Sequence, residues 1–322
     1  DQNQVSLLYE SGTYSSASGT RQWIGFVADH TLTESQNVID AFYAGRGSRN
    51  VGQFVNGPLN FTGKITYHPN RDWRMFMFAL GSNVDGGSPS PYTHTISEAN
   101  NNNPFTSGTT APFMSFTIED AHNSAVANDN FVRTVNGAVV NSLKLTASEG
   151  DMVTCEVDYV AQNVVYSSGN VTALTEDTTA PYTWQHGLLH IPSGTTTFAP
   201  TEFSWTINNN LDAKHFINGS RVIRLPLPTT RTYEVDVSLY EQNTTVQPLY
   251  DNYFLGGSTF NVLWALSAST GSRELFITMS GCRLTMNSPT PGDPQPNTHT
   301  LKIRPQTCSV LVNDLVFQYN PF

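Results

Sequence analysis

The sequence predicts an all-β protein of two tandem β-sandwich or barrel domains, each with a short helix and long loops. Three observations lead there. Apolar and polar residues alternate with period 2 along most of the chain, sustained helical periodicity is nearly absent, and a set of motifs recurs in order in the second half of the 322 residues.

The half-buried strands read, in order, FTGKITYH (Phe61–His68), MSFTIED (Met114–Asp120), VVNSLKLTA (Val139–Ala147), FSWTIN (Phe203–Asn208), YEVDVSLY (Tyr233–Tyr240), ELFITM (Glu274–Met279) and SVLVNDLVFQY (Ser309–Tyr319). After Asp72, residues Trp73, Phe76, Met77 and Leu80 fall at i, i+3, i+4 and i+7, with Gly81 as a stop. That spacing predicts one short amphipathic helix lying on a sheet. Asn136-Gly137, between FVRTV and AVVNSL, predicts a hairpin turn, because a type I′ turn needs positive φ at both positions. Asn83–Thr110 and Asn287–Thr300 read as loops. The first is long enough to reach a neighbouring subunit.

Five motif pairs recur in the same order. QFVNG (53–57) returns as HFING (215–219), FTGKITYH as YEVDVSLY, and DWRMFMFALGS (72–82) as LYDNYFLGGS (249–258). APFMSFTIED (111–120) matches FNVLWALSA (260–268), and NGAVVNSLKLTAS (136–148) matches SGCRLTMNS (280–288). They predict two copies of one β-domain, residues 1–168 and 169–322, meeting in a Ser/Thr-rich stretch.

One hairpin can be registered from its pattern. With Glu149-Gly150-Asp151 as a three-residue loop, Thr146 faces Thr154, Lys144 faces Glu156 and Ser142 faces Asp158, while Leu145–Cys155 and Leu143–Val157 point inward. Glu156 and Asp158 would lie roughly 6–7 Å apart on one face, near the lower end of an inverting-glycosidase separation. Lys144 opposite Glu156 and the lack of an apolar pocket to raise one carboxyl argue for a solvated face instead. His186 and His190 have i, i+4 spacing, but Gly187 and Pro192 argue against a helix, and in a strand the two would be ~13 Å apart. GxSxG, HExxH, P-loop and GxGxxG motifs are all missing. No enzyme, cofactor or metal is expected.

The bulk numbers agree. Only 13% of residues are charged and the net charge is −10, with 16 scattered Lys and Arg, which argues against tight phosphate binding. Cys155, Cys282 and Cys308 are an odd number without CxxC spacing, so buried small hydrophobes are expected rather than disulfides or zinc. No window approaches the roughly 18 apolar residues of a membrane helix.

The ordered run WIGFVADHTLTESQNVI (23–39), GRGSRN (45–50), ITYHPNRDWRMFMFALGS (65–82), YTHTISEANN (92–101), SFTIED (115–120), NGAVVNSLKLTASEGDMVTCEVDYVA (136–161) and SWTINNNL (204–211) resembles the major tail tube proteins of long-tailed, non-contractile phages and related tailed viruses. The resemblance implies a structural virion protein, made in the host cytoplasm. Its rings would stack into a hollow tail tube through which genomic DNA passes without tight binding. It implies self-association, with tail terminator, tail tip and tape-measure proteins as further partners and no membrane. Two domains per chain make a homotrimeric ring with pseudo-sixfold symmetry the expectation. Ser142, Lys144, Thr146, Thr154, Glu156 and Asp158 are expected to face the lumen. Ring-to-ring contacts are expected from Asp1–Gly19 and from Asn100, Asn101, Asn102, Asn103, Pro104 and Phe105. The alternatives are the inner tube of a contractile tail or injection machine, which shares the ring logic, and a secreted carbohydrate-binding or adhesin-like β-sandwich. The last would use exposed tryptophans among Trp23, Trp184, Trp205 and Trp264, of which Trp205 and Trp264 sit in alternating strands and read as core.

Overall fold

The computed structural model describes residues 2–10, 14–41, 52–72, 74–87, 92–99, 115–123, 130–169, 174, 177–192, 197–240, 247–269, 273–290 and 298–314. The first half contains β1 (Gln2–Tyr9), β2 (Ser18–Gln22), β3 (Phe26–Ala41), β4 (Gln53–His68), α1 (Arg74–Leu80), β5 (Gly81–Gly86), β6 (Tyr92–Glu98), β7 (Phe116–Asn123), β8 (Phe131–Ser148), β9 (Thr154–Ala161) and β10 (Asn163–Ser167). The second contains β11 (Gly187–His190), β12 (Thr197–Phe198), β13 (Pro200–Asn208), β14 (Leu211–Asp212), β15 (Leu227–Pro228), β16 (Thr232–Tyr240), a π-helical turn α2 (Tyr250–Leu255), β17 (Phe260–Ser269), β18 (Arg273–Thr290), β19 (Thr298–Arg304) and β20 (Thr307–Asp314).

All pairings are antiparallel and fall mainly into three open sheets. Sheet I runs β2-β1-β7-β8-β10. Sheet II runs β3-β4-β9-β8-β13-β16-β19-β18. Sheet III runs β5-β6-β20-β18-β17-β11-β12. Strands β8 and β18 each serve two sheets, the N-terminal part lying in I or III and the C-terminal part in II.

The pairings of the first half recur in the second. Phe116↔Ala138 and Ile118↔Val135, with a bulge between them, recur as Phe260↔Cys282 and Val262↔Met279, a shift of 144 residues (116 to 260, 138 to 282). The same shift carries Leu143↔Val157 to Asn287↔Leu301 and Asn163↔Asn136 to Thr307↔Ser280. In the hairpin before the helix, Val27↔Tyr67 and Asp29↔Thr66 recur as Pro200↔Leu239 and Glu202↔Ser238, shifted by 173 on one strand (27 to 200) and 172 on the other (67 to 239). FTGKITYH and YEVDVSLY are thus aligned as the sequence suggests. QFVNG lies in β4, whereas HFING lies outside any strand, so that pair of motifs is not equivalent.

Asn136-Gly137 does not turn the chain back. It lies within the continuous β8, at the point where that strand leaves sheet I for sheet II. The positive φ is real: Gly137 has φ 67° and its counterpart Gly281, in β18, has φ 62°. Here it bends a strand instead of reversing it, because buried Glu10 accepts the Gly137 amide (2.6 Å) as well as the hydroxyls of Ser115 (2.5 Å) and Thr117 (2.7 Å). The Tyr14 hydroxyl donates to the Gly137 carbonyl at 2.9 Å.

Two further expectations change. All seven residues of α1 are buried, so it has no solvated face. Strands β5 and β6 cover part of it and Phe76 stacks on Trp205 at 6.2 Å. Trp73 lies outside the described residues. Asn83–Thr110 is no uniform loop either: β5 and β6 pair within it, and β6 joins β20. Likewise β18 runs on to Thr290 and β19 starts at Thr298, inside the stretch 287–300.

The core is one continuous cluster shared by all three sheets, including Leu7 and Phe116 from sheet I, Ile65, Tyr159 and Trp205 from sheet II, and Trp264 and Ile277 from sheet III. Strand β3 is tied across it: His30 Nδ1 lies 3.1 Å from Asp120 and His30 Nε2 2.8 Å from the Tyr159 hydroxyl, while Arg133 also pairs with Asp120. Burial would raise the Asp120 carboxyl, but the hydrogen bonds and charges of His30 and Arg133 outweigh it and hold the group below its ordinary value. Tyr159 fits only because residue 63 is glycine, since a Cβ there would lie 2.2 Å from its hydroxyl.

Candidate functional surface

Sheet II has one buried face and one polar face, as period-2 alternation dictates. Ser142, Lys144, Thr146, Thr154, Glu156 and Asp158 all lie on the polar face, in the register read from the sequence: Thr146↔Thr154, Lys144↔Glu156 and Ser142↔Asp158. The turn is also as expected, with Gly150 at φ 82°. A bulge at Asn141, where Val140↔Tyr159 gives way to Ser142↔Asp158, carries no sequence signal.

The partner of Glu156 differs from expectation. The ion pair is made by Lys64 from β4, at 3.0 Å, with both groups partly exposed. Lys64 stands opposite Asp158 and diagonal to Glu156, and a long side chain reaches diagonally across a sheet. Asp158 accepts the Ser142 hydroxyl at 2.7 Å. Such solvated pairs contribute about 0–1 kcal/mol each.

The face continues well beyond this hairpin. One transverse row runs Thr154–Thr146–Ser204–Asp236–Lys302–Met286 across six strands, each residue opposite the next. Another runs Thr31–Lys64–Asp158–Ser142–Asn208–Thr232. The polar partners within FSWTIN and YEVDVSLY were the signal for this extension. Asp29, Glu156, Asp158, Glu202, Glu234 and Asp236 stand against Lys64, Lys144, Arg283, Lys302 and Arg304, so six carboxylates nearly balance five cations. The face is therefore close to neutral although the chain carries −10, and the acidic wall expected from composition becomes a field of hydroxyls with interspersed charges of both signs.

The other candidate chemistries gain no support. Cys155, Cys282 and Cys308 are buried free thiols, and burial pushes the Cys155 thiol up to about 12, away from the nucleophilic thiolate. Among the described residues no group of three His, Cys, Asp or Glu is placed to hold a metal ion. His186 ends a 3-10 turn and His190 lies in β11. Trp205 and Trp264 are core, leaving Trp184 as an exposed tryptophan and Trp23 edge-on to Phe26 at 5.2 Å. Asn100–Phe105 lies outside the described residues. In the N-terminal segment, Gln2–Tyr9 is a strand of sheet I with Leu7 and Tyr9 buried.

The phage tail tube protein family model matches residues 2–305, nearly the whole chain. The chain belongs to this family. It is a structural component of a phage virion tail, and the open sheet with one apolar and one polar face is what a tube wall requires. A search of curated proteins returns no match.

Proposed function

We propose that the chain assembles into homotrimeric rings of pseudo-sixfold symmetry that stack into a hollow tube, with the polar face of sheet II lining a bore through which genomic DNA passes. The observation that carries this reading is the recurrence of one strand register in both halves, which supports two tail-tube domains per chain, 1–168 and 169–322, and hence six domain copies from three chains. A near-neutral, hydroxyl-rich bore repels phosphates weakly and presents no basic cluster to hold them, so DNA can slide without counterion-driven binding. Ser142, Lys144, Thr146, Thr154, Glu156 and Asp158 sit at the middle of that lining. Terminator, tip and tape-measure proteins would meet the ends and interior of such a tube.

Native mass measurement of isolated rings is expected to give three chains, and six chains would remove the trimer. The Asn100–Phe105 segment, between β6 and β7, is proposed to contribute to ring stacking. Deleting Asn100–Thr110 should leave a folded protein with unchanged far-ultraviolet circular dichroism that no longer polymerises. Tubes of normal length from that variant would exclude the role.

A further inference from the structure

Sheet II ends in two free strand edges. Among the described residues β3 pairs with β4 alone, and the segment Met286–Thr290 of β18 pairs with β19 alone. Such edges are templates for another strand. The internal recurrence indicates which strand and in what register. At the centre of sheet II, β8 of the first half pairs with β13 of the second, Ser142 opposite Asn208, Leu143 opposite Ile207 and Lys144 opposite Thr206. The equivalent of β8 is β18, 144 residues on, and the equivalent of β13 is β3, 173 residues back. Transferring the pairs gives Ser35 opposite Met286, Glu34 opposite Asn287 and Thr33 opposite Ser288 (206 to 33, 144 to 288). Pro289 has no amide hydrogen to donate, which sheets tolerate at an edge, and it limits the usable strip to Met286–Ser288.

The same transfer accounts for two exposed apolar patches. Beyond Gln36, β3 and β4 have no third strand and project as a two-stranded arm with exposed Val38, Ile39, Phe54 and Val55. A lone hairpin is marginal in water. Next to β18, α2 leaves Tyr250, Phe254 and Leu255 exposed, Leu255 at 65%. Within the chain, Asn209 and Arg231, flanking β13 and β16, hold the C-terminal carbonyls of α1, Ala79 (3.1 Å) and Leu80 (3.2 Å). Their equivalents are Gln36 (209 less 173) and Leu59 (231 less 172), at the root of the arm, and the equivalent of α1 is α2.

We propose that β3 of one chain adds to β18 of a second copy in this register, Thr33 opposite Ser288, and that the β3–β4 arm thereby seats on α2 of that copy. The contact repeats between chains the junction that joins the two halves within a chain. It rests on the ring reading above and adds to it the strands, the register and the apolar seat.

Thr33 and Ser288 are exposed and the native cysteines are buried, so a T33C/S288C variant tests the register without background. Oxidation of its assembled form should give covalent oligomers on denaturing gels that stop at the number of chains in one ring, with each single variant remaining monomeric. An I39C/S288C control, displaced by about 20 Å along the strand, should give no bands. If the first pair misfolds by circular dichroism, S35C/M286C tests the same register. Phe54→Ser should lose ring formation while the monomer keeps its circular dichroism. Rings or tubes in negative stain without crosslinking of the matched pairs, equal crosslinking of the displaced pair, or normal rings from Phe54→Ser would each overturn the contact and leave the tube reading standing. Absence of any ring at high concentration would instead remove the tube reading, and the contact with it.

Discussion

Asp72→Ala should cost about 3–5 kcal/mol of folding stability, because it leaves a buried guanidinium without its counter-charge. Arg74 opens α1 inside the core. Its backbone amide donates to Asp72 Oδ1 (3.0 Å) and its Nε to Asp72 Oδ2 (2.7 Å), with Gln22 Oε1 accepting from Nη1 (3.0 Å) and the Trp23 carbonyl from Nη2. Burial alone would lower the Arg74 pKa, but the Asp72 charge more than compensates and raises it, so the group stays ionised at every working pH. Removing Asp72 also removes the acceptor for the first helical amide. Urea unfolding should show a lower midpoint at unchanged slope, and Asp72→Ala combined with Arg74→Met should recover much of the loss. A single-variant loss under about 1 kcal/mol would show that the pair is not buried as described.

Trp205→Ala should lose a similar amount, about 3–5 kcal/mol, for a different reason. Trp205 has no exposed surface, stands opposite Leu145 on β8 and Val235 on β16, and meets Phe76 of α1. It therefore fills the seam where the two halves share sheet II. Its equivalent in the first half is Leu32 on the free edge strand (205 less 173), which is only partly buried and packs against the core margin. Leu32→Ala should accordingly cost much less in the isolated chain. Equal losses for the two variants in urea unfolding would contradict the difference between a sealed seam and an open one.

Legibility in the sequence followed the length scale of the interaction. The register of the 142–158 hairpin was readable because alternation and a Gly-containing turn fix it locally. The fate of Asn136-Gly137 was not, because a positive φ at glycine permits either a reversal or a bend. The choice was made by Glu10, 127 residues away in sequence. The burial of α1 was likewise hidden, since its cover comes partly from the strand at Tyr92–Glu98, inside a Gly/Ser/Pro/Asn-rich stretch, and partly from Trp205 in the other half. Lys64 as the partner of Glu156 depended on which strand flanks β9 on its second side, and alternation alone carries no information about that. The repeat was visible as scattered motifs, while its constant spacing emerged only from the hydrogen-bond ladders.

The shared strands have a mechanical consequence. Because β8 and β18 each run through two sheets without a break, sliding one layer over the other would shear ladders on both sides of the bends at Gly137 and Gly281. Each chain is thereby stiff against shear, like a box section whose web is continuous with its flange. A filament built from such units flexes at the joints between them, and its walls keep their shape under load.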